Sequence, residues 1–344
     1  MLNYLIKRFL LIIPTFLGIT LVVFTITRMV PGGPIEKMIT EMQLAQGDGK
    51  ASMTSAVAGS TLSDEQLQEL KEFYGFDKPI LVSYWEWLKK VVQFDLGRST
   101  RYNDPVWDTI KSKMPVSIFY GITTMILTYL VCIPLGVAKA IRHGGIFDNL
   151  SSILVFIGYA IPGYVVGILL VWFFAFKYEI FPMGGFTGDE FEELSLAAQI
   201  WDITYHAILP LIAYMLGSFA LMTFIMKNSL MDNLAADYVR TAMAKGLSFP
   251  RAVIGHAFRN SFIPLATHLG NSISVLVAGS FLIEKIFNID GIGLLGFEAL
   301  VEKDYPVVMG LLVITAMLTL IGNILSDICV AIVDPRVKFQ GVKK

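Results

Sequence analysis

Charge is scarce in this chain. Only 16% of its 344 residues are Asp, Glu, Lys or Arg, against about a quarter in an ordinary soluble domain. Hydrophobic residues make up 55% and the mean hydropathy is +0.63, more apolar surface than a soluble fold hides, so the composition reads as a membrane protein with several spans. Cysteine is nearly absent as well. Cys132 and Cys329 both lie in apolar runs, where they behave as small buried hydrophobes, and they support neither a disulfide framework nor a metal site. No phosphate-cradling loop is present: the Gly49-Lys50 pair runs into Ala51 within a polar stretch, so any ATP hydrolysis would have to come from another chain. Four histidines, His143, His206, His256 and His268, are scattered. With none expected one helical turn from another ligand, they exclude a zinc or nickel cluster. The net charge of −1 is sorted along the chain rather than pooled, which leaves no basic face for nucleic acid.

What is present is a series of long apolar runs. Lys7 and Arg8 precede 19 uncharged residues from Phe9 to Thr27. A signal peptide would carry a core of about 7–15 residues and a small-residue cleavage site, so 9–30 is expected to be the first transmembrane helix, with Pro14 accommodated at the membrane edge. Further spans are expected at 115–140, 151–176, 206–226, 262–283 and 306–333. Thirteen Lys and Arg fall in the short loops and tails on one side, against Lys177, Lys285 and Lys303 on the other. That bias places both termini in the cytoplasm. The acidic stretch 179–205, with no Lys or Arg, is then outside.

Between the first two spans the character changes. After Pro31-Gly32-Gly33-Pro34, a small polar stretch at 46–58 reads as a linker, and Ser63-Asp64-Glu65-Gln66 as a capping box opening a helix that ends near Gly75. Residues 79–94 read as a helix with Tyr84, Trp85, Trp87 and Leu88 to bury, and Asp104-Pro105 as the start of a third, short one. The expected result is a small helical periplasmic insertion over 31–114.

The longest basic segment lies in the apolar second half. From 227 to 264 it carries Lys227, Arg240, Lys245, Arg251, His256 and Arg259 against Asp232 and Asp237. An apolar stripe through Leu230, Leu234, Tyr238 and Ala242 is interrupted on its own face by Asp237 and Lys245. Two short helices with a break near Ala235 fit better than one long helix. Asn233 or Asp237 is the expected cap and Gly246 the expected left-handed terminator.

Asp237-Tyr238-Val239-Arg240-Thr241-Ala242-Met243-Ala244-Lys245-Gly246-Leu247, then Arg259-Asn260 and Ile263-Pro264, resemble in order the signature loop of permease subunits of bacterial ABC importers. Arg240-Thr241-Ala242 is the form taken in the dipeptide and oligopeptide type. Pro31-Gly32-Gly33-Pro34-Ile35-Glu36, Gly75-Phe76-Asp77-Lys78-Pro79, Asp95-Leu96-Gly97-Arg98-Ser99, Gly279 to Glu284, Asp290 to Gly296 and Asp304 to Val308 extend the likeness over nearly the whole chain, toward the microcin C and oligopeptide branch. The resemblance implies an all-α polytopic membrane protein of the type I importer kind, with six transmembrane helices and the periplasmic insertion after the first. Its implied organisation is 1–30 (tail and first helix), 31–114 (insertion), 115–337 (five-helix core carrying an ATPase-docking loop at 227–262) and 338–344 (tail).

Its implied function is uptake of peptides or peptide-like compounds through the bacterial inner membrane. A periplasmic solute-binding protein would deliver the substrate, a second homologous permease would complete the path, and two ATP-binding subunits would hold ATP and Mg, with no cofactor on this chain. The docking residues it implies are Asp237, Tyr238, Val239, Arg240, Thr241, Ala242, Lys245, Gly246 and Leu247. Nickel and oligosaccharide permeases share this architecture, and a secondary transporter or channel acting alone is the reading from a different class.

Two intramembrane features have two readings each. Gly158, Pro162, Gly163 and Gly167, together with Asn271, are candidates for lining a translocation path, whereas plain helix packing also uses such small residues. Asp327, with Asn323, is the one clear ionisable residue inside a span. It is expected either to pair with Lys139 or Arg142 or to relay protons.

Overall fold

The structure is a computed structural model describing residues 2–29, 78–277 and 279–333. Side chains 2–5, 270, 271 and 273–277 are outside that description, and so are the expected linker at 46–58 and the helix opened at Ser63. The described chain is helical, and it has no strand beyond an isolated bridge between Arg98 and Pro105. Its helices are α1 (Leu2–Met29), α2 (Ile80–Val92), α3 (Val106–Ile141), α4 (Ile146–Ala160), α5 (Gly163–Leu170), α6 (Leu196–Ala235), α7 (Asp237–Ala244), α8 (Phe249–Ala252), α9 (Phe258–Ser261), α10 (Ile263–Val277), α11 (Phe281–Ile286), α12 (Ile292–Val301) and α13 (Tyr305–Val333).

Four described helices, α1, α3, α6 and α13, are long and apolar enough to cross a membrane. The expected third span is a bent pair. Helix α4 stops at Ala160, Ile161 turns extended because the ring of Pro162 crowds the helical conformation of the residue before it, and a second helical piece covers Gly163–Lys177 at 93° to the first. Its last turns, Val171–Lys177, widen into a π-helix. The expected fifth span is the 15-residue α10. At 1.5 Å per residue it covers about 22 Å, less than the ~30 Å hydrocarbon core. Helix α6 errs the other way: its 40 residues span about 60 Å, enough to carry its C-terminal turns well clear of a membrane.

The residues group into two compact units. In the first (1–12, 113–295 and 317–344), one core packs Tyr120 of α3 with Leu209, Leu211 and Ala213 of α6 and Ile283, Phe287 and Ile289 around α11. The exposed faces of its long helices are apolar, with Ile126, Leu130, Leu154 and Ile157 at half or more of full exposure, as lipid-facing surfaces are.

In the second unit (13–112 and 296–316), Phe24 of α1 meets Tyr84 and Trp87 of α2 at ring-centroid distances of 5.6 and 5.5 Å. Thr20 Oγ1 and Tyr84 Oη lie 2.8 Å apart, and Met309 completes the cluster. Two expectations are corrected here. Trp85 is exposed, because it falls on the opposite face of α2 from Tyr84 and Leu88. Asp104-Pro105 opens no separate short helix: Pro105 leads into the 36-residue α3, which runs on through Pro115 into the apolar stretch.

Candidate functional site

The basic segment folds back on the end of α6 in the first unit. Helix α6 ends at Ala235, Ala236 is extended (φ −72°, ψ 146°), and α7 starts at Asp237, which is the break the interrupted stripe predicts. The expected caps are absent. Asn233 instead donates its amide to Ser229 O at 2.7 Å and accepts the Tyr238 hydroxyl at 2.5 Å, while Asn260 Nδ2 donates to that hydroxyl at 3.1 Å. One tyrosine thus ties the hinge between α6 and α7 to α9. Gly246 does end α7 in the left-handed region (φ +95°), and its N–H and that of Leu247 donate to Met243 O and Ala242 O, satisfying two end carbonyls.

Underneath, Val239 of α7 is buried in a core with Met226 and Leu230 of α6, Ala140 of α3, Ala252 and Leu265. Ser261 Oγ donates to Ala257 O and reaches Ser229 O. The opposite side is open: Asp237, Tyr238, Arg240, Thr241, Lys245 and Gly246 are exposed, as are Met243, Phe249 and Arg251, whereas Ala242 and Leu247 are half-buried. The expected docking residues therefore gather on one loop, all but Val239 at or near its surface. The surface is cationic with apolar Met243 and Phe249 set in it, a chemistry that suits an acidic groove with an apolar floor.

The path candidates do not gather. Gly163 and Gly167 are contact points with α6 and α11: a Cβ on Gly163 would stand 2.5 Å from Ala213 O, and one on Gly167 would stand 3.1 Å from the Phe287 ring. Gly158 faces Leu216, and Pro162 is exposed at the bend. Asn271 lies on α10, and its side chain is outside the described residues.

Several polar residues stand elsewhere than expected. Asp327 pairs with Arg8, whose Nε is 3.1 Å from its carboxylate, not with Lys139 or Arg142. Lys139 is saturated already by Asp148 O, Ser151 and Ser152, at 3.0, 2.9 and 2.7 Å. His206 does stand one turn from a possible ligand, Asp202, and its Nδ1 lies 2.9 Å from that residue's carbonyl oxygen. The pair closes the acidic loop, with Gly188 N donating to the Asp202 carboxylate.

Two constellations were not legible in the residue pattern. Asp148 is fully buried between Lys139 and Lys227; the available signal was a lone acid in the short basic connection between two spans. Glu284, also buried, accepts from Leu294 N at 2.6 Å and Tyr214 Oη at 3.2 Å. Gly279, Gly291 and Gly293 crowd its carboxyl too closely for any Cβ, and Ile292 N donates to Ser117 Oγ at 2.8 Å. Two of the stretches that carry the resemblance, 279–284 and 290–296, are thus halves of one polar knot.

Comparison with known proteins follows the same line. The family described as "binding-protein-dependent transport system inner membrane component" matches residues 132–339. The inner membrane ABC transporter permease protein YejB of Escherichia coli O157:H7 is 38% identical over 98% of this chain and 99% of its own length. The peptidoglycan transport system permease protein YejB of Agrobacterium fabrum is 38% identical over 98% of each. The oligopeptide transport system permease protein AppB of Bacillus subtilis is 33% identical over 98% of this chain and 99% of its own.

Proposed function

Because the chain belongs to the family of binding-protein-dependent transport system inner membrane components, we infer that it is a permease subunit of an ABC importer that takes up peptides. The observation that carries this is end-to-end similarity to permeases named for oligopeptide and dipeptide transport, at 33% and 31% identity over 98% and 99% of this chain. The multi-pass helical architecture agrees with it, since α1, α3, α6, α13 and the bent α4–α5 pair supply the apolar spans.

The finer reading rests on the loop. Six crossings are counted when α10 is taken as the fifth, with both termini and the 227–262 loop in the cytoplasm and 31–114 outside. Helix α7 is the element that docks on an ATPase subunit: it is short, held by a buried anchor at Val239 and a tyrosine-centred hinge, and it presents Arg240 and Lys245 outward. A second permease completes the path, a periplasmic binding protein delivers the peptide, and two ATP-binding subunits do the hydrolysis. Coupling then requires that ATP-driven motion favour two arrangements of the spans unequally.

A mild-detergent purification of the tagged chain from its own membranes, with mass spectrometry of everything retained, tests the assignment. A second permease, ATPase subunits and a peptide-loaded binding protein are expected; a lone chain active in ion-driven flux overturns it. Charge reversal at Arg240 and Lys245 together is expected to abolish capture of the ATPase subunits with membrane insertion intact, and unchanged capture overturns the docking role.

A second substrate reading is favoured by one relative. The Agrobacterium fabrum protein named for peptidoglycan transport is as similar as the first, at 38%, so cell-wall peptides are the subclass to look for. The mass of the ligand on the co-purified binding protein separates a plain peptide from one bearing amino sugars.

A further inference from the structure

At the root of the loop, three buried charges do not cancel. The side chains of Lys139 on α3 and Asp148 on α4 are 0% and 3% exposed, and that of Lys227 on α6 is 10% exposed. Lys227 Nζ donates to both carboxylate oxygens of Asp148, at 2.7 and 2.8 Å. Lys139 Nζ lies 3.1 Å from Oδ1 and also holds the Asp148 carbonyl, Ser151 and Ser152. Gly144 N donates to Oδ2 at 3.1 Å, and His143 Nδ1 lies 3.2 Å from the same oxygen, its ring largely exposed. One carboxylate therefore serves two ammonium groups.

Burying ions is expensive, and well-packed hydrophobic residues of equal volume often stabilise a fold as well or better. Stability alone is a poor reason for such a cluster. What it has, and apolar packing lacks, is directional charge-assisted bonding that fixes three helices to one point.

Its position says which motion it would transmit. Lys227 follows Met226 and lies one turn before Leu230, and Lys139 precedes Ala140; Met226, Leu230 and Ala140 all belong to the core that seats Val239 of α7. Two of the three charges thus sit on the seat of the loop helix. The third, Asp148, is on α4, which contributes no residue to that core among the described residues and which leads through the 93° bend into α5.

We propose that the Lys139–Asp148–Lys227 cluster is the tie through which displacement of the loop helix is passed to the bent α4–α5 pair, with Asp148 a positioning residue for transport. The proposal rests on the docking reading given above. Neutralising Asp148 removes the charge-assisted bonds from Lys227 to α4, leaving Lys139 with its carbonyl and serine partners and the apolar seat of α7 in place, so ATPase capture and basal hydrolysis persist and coupling is lost.

The test uses the complete complex in liposomes and measures peptide taken up per ATP hydrolysed. Asp148→Asn is expected to lower that ratio about tenfold, within the range of coupling changes that single substitutions cause, and Asp148→Glu to restore most of it. Lys227→Met guards against misfolding: it keeps the apolar stem and leaves a balanced Lys139–Asp148 pair, so the complex is expected to be as stable as the parent while its ratio also falls. A parent chain that captures no ATPase subunit overturns the docking reading and this proposal with it. Complete complexes whose uptake and hydrolysis fall in proportion, leaving the ratio unchanged, overturn the tie alone, and so does failure of Asp148→Asn to capture the ATPase.

Discussion

Ser99 donates its hydroxyl proton to Asp304 at 2.5 Å, joining residues 205 positions apart. Both are buried, and the same carboxylate also accepts the backbone N–H of Thr100 and Arg101, at 3.2 and 3.3 Å. Around this bond, Val106 N donates to Gly97 O, and Arg101 reaches across to Glu298 and Glu302. Two sequence stretches that look unrelated, 95–99 and 304–308, are one joint of the second unit.

Asp304→Ala takes the acceptor from the buried Ser99 hydroxyl and from the partly buried Thr100 N–H, while Arg101 N keeps Ser99 Oγ, and each buried loss costs about 1–3 kcal/mol. A fall of several degrees in Tm in detergent is expected. Asp304→Asn keeps one acceptor oxygen and is expected to lose less than half as much. Equal losses from the two variants would show that the charge, rather than the acceptors, holds the joint.

How much of this was legible depended on range. The hinge at Ala235–Asp237 was readable because it is local: a helical stripe cannot run through Asp237 and Lys245 without turning charge inward, and Gly246 is the one residue there that takes a positive φ freely. The membrane spans were readable from length and hydropathy, except where one turned at Ile161-Pro162 and another, α10, stopped short. Partners across the chain were not. Nothing near Asp327 in sequence marks Arg8 as its partner, and nothing near Glu284 marks Tyr214, 70 residues away, as its donor, because those pairings are set by helix packing that one-dimensional periodicity does not encode.

Gly163→Ala puts a methyl group 2.5 Å from the backbone oxygen of Ala213. A backbone oxygen inside a helix cannot swing aside, so the bent pair must move off α6, at about 1–3 kcal/mol. Gly158→Ala meets only the flexible end of Leu216, at 3.2 Å, and is expected to cost less than half of that. Thermal unfolding of the two purified variants in one detergent checks the order. The reverse order would mean that Gly163 faces an open path, not a packed helix.

A Cβ on Gly246 meets nothing within 4 Å, so the only demand on this position is its φ of +95°. Gly246→Ala is therefore expected to weaken the end of α7 by about 1 kcal/mol. Hydrogen exchange at the Leu247 amide, which donates to Ala242 O, would speed up about fivefold. Gly246→Asn, whose side chain tolerates the left-handed region, is expected to stay closer to the parent. Equal exchange rates in all three would show that the left-handed cap does not hold the helix end.

Asp327 is where a structural and a functional reading part most sharply. A proton relay needs a succession of titratable groups spaced for transfer, whereas Asp327 has Arg8 at 3.1 Å, and both side chains keep some solvent exposure, 21% and 43%. Ion pairs of that exposure contribute about 0–1 kcal/mol. The geometry thus makes the pair a fastening between α1 and α13. Asp327→Asn is expected to leave peptide uptake within about twofold of the parent, as a loss of that size allows, and to leave its pH profile unmoved. An uptake that collapses while the assembled complex still hydrolyses ATP would give Asp327 a part in translocation itself.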